Sequence, residues 1–386
     1  MIPSNEAAAY FSQGFVPSAQ KARISLEQLL ETIKSQKENV SSRPLIDLIK
    51  EDLAKYTPRG WTIALTGGLD SRFLLAALDK NSTGLPINCF TWGTPTSPDV
   101  KGAARAARAH KHFIIDTRFV EWDPDEIVMY LRSLRPVIGT SMPRLDAVWL
   151  FNRISQSSPR ATLRLNGYLG DMLSGAHLRH AISVGSAPEA ITSINKTQME
   201  TSFDPVKFYS RFCEENYAIM KAIKDISEFS DFDLLDYAFR QEQRIHPIME
   251  VDGASWISPF NTPKIIAHWA MTPPSERINQ SKYRNQLAKL IGKENLPGRE
   301  ALISKAISRL KIFGSQSPPG MKNRADPTQN TSLRDLMQET CEALDRRRIL
   351  DINFSSLFFT LLEKPNQRDW TVCLLAMSME LHLRSM

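Results

Sequence analysis

One short run constrains this chain more than any other: Leu65-Thr66-Gly67-Gly68-Leu69-Asp70-Ser71. It follows the apolar segment Trp61-Thr62-Ile63-Ala64 and precedes Phe73-Leu74-Leu75-Ala76-Ala77-Leu78. The first segment reads as a buried strand and the second as a helix. A strand, a small-residue turn and a helix N-terminus together make an anion cradle. Two glycines let the backbone approach a phosphate closely. The turn amides, the Thr66 and Ser71 hydroxyls and the helix N-terminus then face the negative charge. Asp70 would repel a phosphate unless a cation lies between them; with Mg²⁺ there, repulsion becomes coordination. The Lys-Ser/Thr pair of a Walker loop is missing. Glycine pairs also occur in strand–turn–helix units that bind nothing, so the rest of the chain has to decide.

A second constellation has the same character. Thr162-Leu163-Arg164-Leu165 reads as a strand, and Asn166-Gly167-Tyr168-Leu169-Gly170-Asp171-Met172-Leu173-Ser174-Gly175 follows it, glycine-punctuated and again carrying an acid. Two strand ends that each present one carboxylate can share a Mg²⁺ that bridges phosphates. Alone, Asp171 would equally suit a helix N-cap. Between the two constellations, strands are predicted at Pro86–Trp92 and His112–Ile115, with an alanine-rich helix from Val100 to His110. The turn-rich stretch Gly93–Asp99 joins the first of these strands to that helix. Upstream, Asn5 to Lys37 is mostly helical in pattern and a helix is predicted around Pro44–Tyr56. This alternation argues for an α/β fold with a parallel sheet and helices on both faces. Beyond residue 120 the pattern is mainly helical, with the Thr162–Leu165 strand the one further strand expected. Gly314 to Asn330, rich in Ser, Pro, Gly and Asn, reads as a long loop, which in a compact domain is a functional lid or is disordered.

Composition narrows the classes. In 386 residues, 42% are hydrophobic and 23% charged, as in an ordinary soluble domain. No run approaches a membrane span, and Met1-Ile2-Pro3-Ser4-Asn5-Glu6 has neither a basic n-region nor an apolar h-region, so a cytoplasmic protein is expected. Cys89, Cys213, Cys341 and Cys373 are far apart and form no CxxC pair, which argues against a zinc site or a disulfide framework. The net charge of +6 would suit an anionic substrate or a nucleic acid, but the basic residues are dispersed and read as solvated surface. His177 and His180 lie near the second constellation, without metal-ligand spacing, and read as packing or surface residues.

Taken together, the motifs resemble the N-type ATP pyrophosphatases, whose phosphate loop is commonly written SGGxDS, and within them the synthetase domain of the asparagine synthetase family. That family includes β-lactam and carbapenam synthetases and lasso-peptide cyclases. Leu65–Ser71 matches the pyrophosphate loop, and Asn166–Gly175 matches the second loop, written SGxGxDExxGG, with Asp171 at its metal aspartate. Trp256-Ile257-Ser258-Pro259-Phe260-Asn261 resembles the "PFLD" segment, Ser281-Lys282-Tyr283-Arg284 the "KxxLR" helix, and Arg309-Leu310-Lys311 the late "RxK". The resemblance covers most of residues 1–320. It implies a PP-loop-type parallel sheet with a largely helical C-terminal region. It also implies ATP and Mg²⁺, with Asp70 and Asp171 as metal ligands. Leu65, Thr66, Gly67, Gly68, Ser71 and Gly167 would hold the nucleotide, with Phe90, Thr91 and Trp92 near its adenine. Lys311 would contact the reacting centre, with the loop after it as a lid.

Two departures refine the expectation. Glu6-Ala7-Ala8-Ala9-Tyr10-Phe11-Ser12-Gln13-Gly14-Phe15-Val16-Pro17 resembles the linker that follows the family's glutaminase domain. Residues 1–45 therefore read as an arm and 46–386 as the synthetase domain, without a glutaminase. Nitrogen would come from an amine, from ammonia or from a separate glutaminase. In the second loop, asparagine synthetases carry glutamates where this chain has Tyr168 and Met172; β-lactam and carbapenam synthetases resemble it in having tyrosine at the first position. There the tyrosine works with a glutamate to deprotonate an amine. A phenol with a pKa near 10 is a poor base alone, so a carboxylate partner is required. Glu242, in Phe239-Arg240-Gln241-Glu242-Gln243, is the first candidate, although its match needs a gap; Glu250 is the next. The expected function is an AMP-forming ligase that adenylates a small-molecule or peptide carboxylate and passes it to an amine. Such chemistry suits natural-product or modified-peptide biosynthesis, in partnership with a peptide-pathway protein or glutaminase and with no membrane or nucleic acid. A two-protein glutamine-dependent amidotransferase, a tRNA-modifying ATP pyrophosphatase and a non-catalytic binding relative are the alternatives.

Overall fold

A computed structural model describes residues 3–17, 19–40, 43–80, 84–138, 141–158, 162–195, 199–249, 256–297 and 326–386. Five strands form one parallel sheet: β1 (Trp61–Ala64), β2 (Ile87–Trp92), β3 (Lys111–Ile115), β4 (Leu163–Leu165) and β5 (Trp256–Ile257). Their spatial order is β3-β2-β1-β4-β5. All four residues of β1 are buried, as suits a central strand covered on both faces. Trp61 faces Ile87 on one side and Leu163 on the other. From β1 the chain runs outward through β2 and β3, then returns to the opposite side of β1 for β4 and β5. The direction of winding reverses between β1 and β4, and open α/β sheets bind their ligands at the carboxyl ends beside such a switch point. Both glycine-rich loops leave from there.

The α/β parallel sheet, and the largely helical character of the remainder, agree with the sequence reading. The differences have local causes. The helix expected over Val100–His110 spans Pro98–Ala106. The Ser97 hydroxyl accepts from the Val100 amide at 3.2 Å and Pro98 occupies the first turn, a start signal that the turn-rich composition masked. The Asn5–Lys37 region is two helices, Ser4–Gln13 and Ala19–Val40. The first ends where Gly14 turns left-handed (φ 80°) and its amide caps the Tyr10 carbonyl at 2.8 Å. β5 is a second strand beyond residue 120. Two residues carry no periodicity by which to recognise it.

Among the described residues the buried apolar side chains form one small cluster, Ala64, Phe90, Phe151, Ile154 and Trp256, and two large ones. One large cluster gathers the helices Ala19–Val40, Leu45–Leu53 and Leu69–Lys80 with β1 and the segment from Tyr209 to Leu287. The other joins Ala7, Tyr10 and Phe11 to the helices Pro124–Ile138, Leu145–Ser157, Thr331–Arg347, Phe354–Glu363 and Gln367–Ser385. Ala7 through Gln13 are all buried, so the N-terminal helix is an integral part of that second core. No helix among the described residues is long and apolar enough to cross a membrane.

Candidate functional site

The loop after β1 closes on itself before anything binds to it. The Thr66 amide donates to Ser71 Oγ at 3.0 Å, the two hydroxyls lie 3.2 Å apart, and the Gly68 amide donates to Thr66 Oγ1 at 3.1 Å. Gly67 backs onto the helix Pro98–Ala106: a Cβ added at Gly102 would stand 2.9 Å from its Cα. Gly68 is different, since a Cβ there would meet only the Thr66 hydroxyl within 4 Å. The loop is thus packed on one side and open on the other, directly before the helix Leu69–Lys80.

Asp70 sits in the first turn of that helix with Oδ1 sealed from solvent and without a hydrogen-bond partner among the described residues. The second loop presses on it. A Cβ at Gly167 would fall 2.6 Å from Asp70 Cβ, and one at Gly170 would fall 2.4 Å from Oδ1. Only glycine lets the two loops meet so closely. Burial raises the Asp70 carboxyl well above its ordinary pKa, and the charge of Asp171 adds to the rise. The Tyr283 phenol, also buried, faces Asp70: burial raises it most, and the charge of Asp70 and the interaction of the two side chains add to the rise.

Asp171 is anchored at one oxygen by the Met172 amide (2.6 Å), while Arg240 Nη2 stands 3.7 Å from the other. Its side chain is 40% exposed. Leu169, in the same loop, holds a left-handed backbone (φ 70°), a conformation that costs a non-glycine residue about 1 kcal/mol or more. The two acids, one orphaned and one half-exposed, form a donor set that fits Mg²⁺. That ion takes one or two carboxylates, with phosphate oxygens and water completing its shell.

Tyr168 lies beside these acids and is 4% exposed. Its amide is held by Asn166 Oδ1 (3.0 Å) and its carbonyl accepts from Ser258 Oγ (2.6 Å). Its hydroxyl donates to Glu242 Oε1 at 2.7 Å. Glu242 reaches it because Asp236–Ile245 winds as a π-helix. The wider turn changes which residues share a face. Pro247, two residues beyond, has no amide hydrogen for the Gln243 carbonyl and favours such a departure from α geometry. Burial alone would raise Glu242. The hydrogen bond and charge of His246, the Tyr168 hydroxyl and Lys21 outweigh it and hold the carboxyl below its ordinary value.

Thr66, Asp70, Ser71, Trp92, Gly167, Tyr168 and Asp171 all line one cavity of about 540 Å³. Glu242 stands behind Tyr168. Leu65, Gly67, Gly68, Phe90 and Thr91 are not among the described lining residues. Leu65 is buried and donates to the Phe90 carbonyl (2.7 Å), Phe90 stacks on Phe113, and Thr91 Oγ1 donates to the Leu65 carbonyl (2.7 Å). The Trp256–Asn261 and Ser281–Arg284 segments do not join the described lining either. They brace the loops from behind, through Ser258 on the Tyr168 carbonyl, the Ile257 carbonyl on the Asn166 amide (3.0 Å) and Tyr283 beside Asp70. Glu250, the Arg309–Lys311 motif and 314–325 of the expected lid lie outside the described residues.

Several lining residues carried no motif in the sequence. Arg240 is buried and bidentate with Asp236 (2.6 and 3.2 Å). Gln241 is fully buried, with its amide nitrogen 3.5 Å from Asp236 and its Oε1 lacking a donor among the described residues. Arg144 pairs with Asp146 at 2.8 Å and lies over the Trp370 ring. His177, read from the sequence as a packing or surface residue, lines the cavity as well. Burial and then Arg240 lower its pKa, which favours the neutral ring. His180 does lie toward the surface, bonded to Ser193 at 2.6 Å. The i,i+4 spacing of Asp236 and Arg240 was the one legible sign of this wall.

Among curated proteins, none matches the sequence. Among solved structures, an NMN synthetase from Francisella tularensis is similar at 14% identity, covering 68% of this chain and 95% of its own, with a TM-score of 0.22. The family model for asparagine synthase matches residues 59–290, more than half of the chain, and takes in both loops, the π-helix and all five strands. The chain belongs to the asparagine synthase family.

Proposed function

We propose that the protein is an AMP-forming amide ligase, acting on a small-molecule or peptide carboxylate and an amine in natural-product or modified-peptide biosynthesis. Membership of the family supports ATP-dependent carbon–nitrogen ligation in general terms. The observation that carries the finer reading is the pairing of Tyr168 with Glu242 at 2.7 Å beside the two loop acids. Asparagine-type chemistry on ammonia needs no such phenol. A bound amine that must lose a proton does need a base.

In the first half-reaction the substrate carboxylate attacks the α-phosphorus of ATP and pyrophosphate leaves. Loop amides around Gly68 and the helix N-terminus would receive the phosphates. Asp70 and Asp171 would hold Mg²⁺, which supplies charge neutralisation between the phosphate oxygens when bound. In the second half-reaction the amine nitrogen attacks the acyl carbon and the bond to AMP breaks. As the nitrogen gives its proton to the Tyr168 oxygen, the phenol proton passes to Glu242 Oε1. The depressed pKa of Glu242 keeps it ionised, and so able to accept, at neutral pH. Lys311 would stabilise charge at the reacting centre, with the segment after it excluding water.

Two outcomes test this reading. ATP–pyrophosphate exchange with a panel of carboxylic acids should single out a substrate acid. With that acid, Tyr168→Phe should slow exchange no more than a few-fold and lower amide formation by roughly 100-fold or more. Wild-type amide formation by Tyr168→Phe would sink the proposed base. Separately, Gly170→Ala places a methyl group 2.4 Å from Asp70 Oδ1. Displacing that carboxylate should cost roughly 100-fold in pyrophosphate release, measured by a coupled phosphate assay. An unchanged rate would mean that Asp70 need not be held where it is.

A further inference from the structure

We propose that His246 is the positioning residue of the amine-activating pair: it locks the Glu242 carboxylate and the Tyr168 phenol into one arrangement that the second half-reaction requires. The inference rests on the reading of Tyr168 and Glu242 given above.

Glu242 divides its two oxygens between two partners. Oε1 accepts from the Tyr168 hydroxyl at 2.7 Å, and Oε2 lies 3.1 Å from His246 Nδ1. The imidazole also lies flat on the phenol, with ring centroids 5.1 Å apart and planes inclined by 12°. One side chain therefore touches both members, one by a hydrogen bond and the other by its face. Each contact removes a different freedom. The terminal torsion of a glutamate is broad and soft, so a carboxylate held by one hydrogen bond can turn away from it. A donor on the opposite oxygen fixes that torsion. The stacked ring, in turn, limits the swing of the phenol about its own side-chain axis.

The fold explains why a histidine is available there. His246 closes the π-helix Asp236–Ile245 and opens the short helix His246–Met249, four residues after Glu242. That spacing brings side chains i and i+4 together, and the wide turn before it aims the pair at Tyr168 in the loop after β4. Position 246 is half-buried, with the His246 side chain 27% exposed and that of Glu242 13% exposed. A carboxylate so enclosed would be driven to its neutral form unless charge or hydrogen bonds opposed this. The groups that face it are Tyr168 from the second loop, Lys21 from the helix Ala19–Val40, and Tyr237 and His246 from its own helical segment. Of those that favour the ionised form, His246 is the strongest. Among the described residues, removing it leaves burial opposed by Tyr168 and Lys21. The carboxyl then rises and is protonated over part of the range in which it should accept the phenol proton.

The test uses the full chain, the acid found by exchange and its amine, with thermal unfolding checked for every variant. His246→Ala should slow exchange by no more than a few-fold. Its kcat for amide formation should fall roughly 10- to 100-fold with KM for ATP and acid unchanged, and the acid limb of its pH profile should move to higher pH. His246→Asn offers an amide nitrogen near the place of Nδ1 and should recover most of the lost kcat. Three results overturn the role: full amide formation by His246→Ala, equal loss of exchange and amide formation, or no recovery by asparagine. Tyr168→Phe run alongside separates the two readings. If it makes amide at the wild-type rate, the base assignment fails; if it loses amide formation while His246→Ala keeps the wild-type rate, only the role of His246 fails.

Discussion

Asparagine in place of Asp70 is expected to abolish pyrophosphate release while leaving the fold at least as stable as before. The first half follows from geometry. Asp70 Oδ1 is buried, unpartnered among the described residues and enclosed by Gly167 and Gly170, so no other acid can take its place without rebuilding both loops. Losing one ligand to a metal on a transferring phosphate removes several kcal/mol of stabilisation, on the order of 1,000-fold or more in rate. The second half follows from electrostatics. In the unliganded protein an ionised Asp70 is disfavoured by burial and by Asp171. A neutral amide of the same shape relieves that cost. Asp70→Asn should therefore unfold at the same or a higher temperature than wild type, and should lose the stabilisation that ATP with Mg²⁺ gives the wild type. Calorimetry with and without ligand, beside a pyrophosphate assay, checks both. A variant that turns over normally, or that Mg²⁺·ATP stabilises as it does the wild type, would remove Asp70 from the site.

The largest loss of stability should come from Arg277, which lies some distance from the chemistry. Its guanidinium is fully buried and bidentate with Asp233 (2.9 and 3.1 Å). It also donates to the carbonyls of Thr272 and Glu228 (3.2 and 3.0 Å) and lies over the Phe229 ring. Asp233 has a second duty in the capping box with Ser230. Removing one member of a buried pair leaves the other charge without compensation, which costs about 3–5 kcal/mol. Arg277→Met should reach that range in urea unfolding. Arg277→Met combined with Asp233→Leu should regain much of it, because an apolar pair incurs no such penalty. Activity should fall as well, since the second loop ends on this arginine: a Cβ at Gly175 (φ 85°) would stand 2.7 Å from the Arg277 carbonyl. If the single variant loses less than about 1 kcal/mol, the pair is solvated in solution and does not hold the loop.

How much was legible depended on whether the information was local. The strand–glycine–acid run at Trp61–Ser71 announces its structure because an apolar run, a turn and a helix start lie side by side in sequence. The same holds for Leu163–Gly175. Tyr168 was singled out by its place in a loop pattern. Its partner was harder, because Glu242 lies on a π-helix whose period no amphipathic pattern reveals. The rest of the wall, Arg240, Gln241, His177 and Arg144, comes from three separate stretches of chain and meets only in space. Thr91 shows what strand position leaves open: it lies on the strand end whose backbone is expected near the adenine, and its hydroxyl is engaged within the sheet, by the Leu65 carbonyl (2.7 Å) and by His112 (2.8 Å). Strand position alone does not say on which side of the pleat a group will be used.

The switch in strand order has a thermodynamic consequence. β1 and β4 are neighbours in space but about a hundred residues apart in sequence, and each contributes one loop acid. A ligand that spans both acids therefore bridges the ends of a long closed segment of chain, whose closure entropy the folded state has already met. Such a ligand binds only molecules in which β1 and β4 are paired, so by mass action it must protect that central pairing more than the β3 edge. Amide hydrogens along β1 and β4 should then exchange by whole-molecule unfolding in the liganded protein, while those of β3 continue to exchange through local fraying.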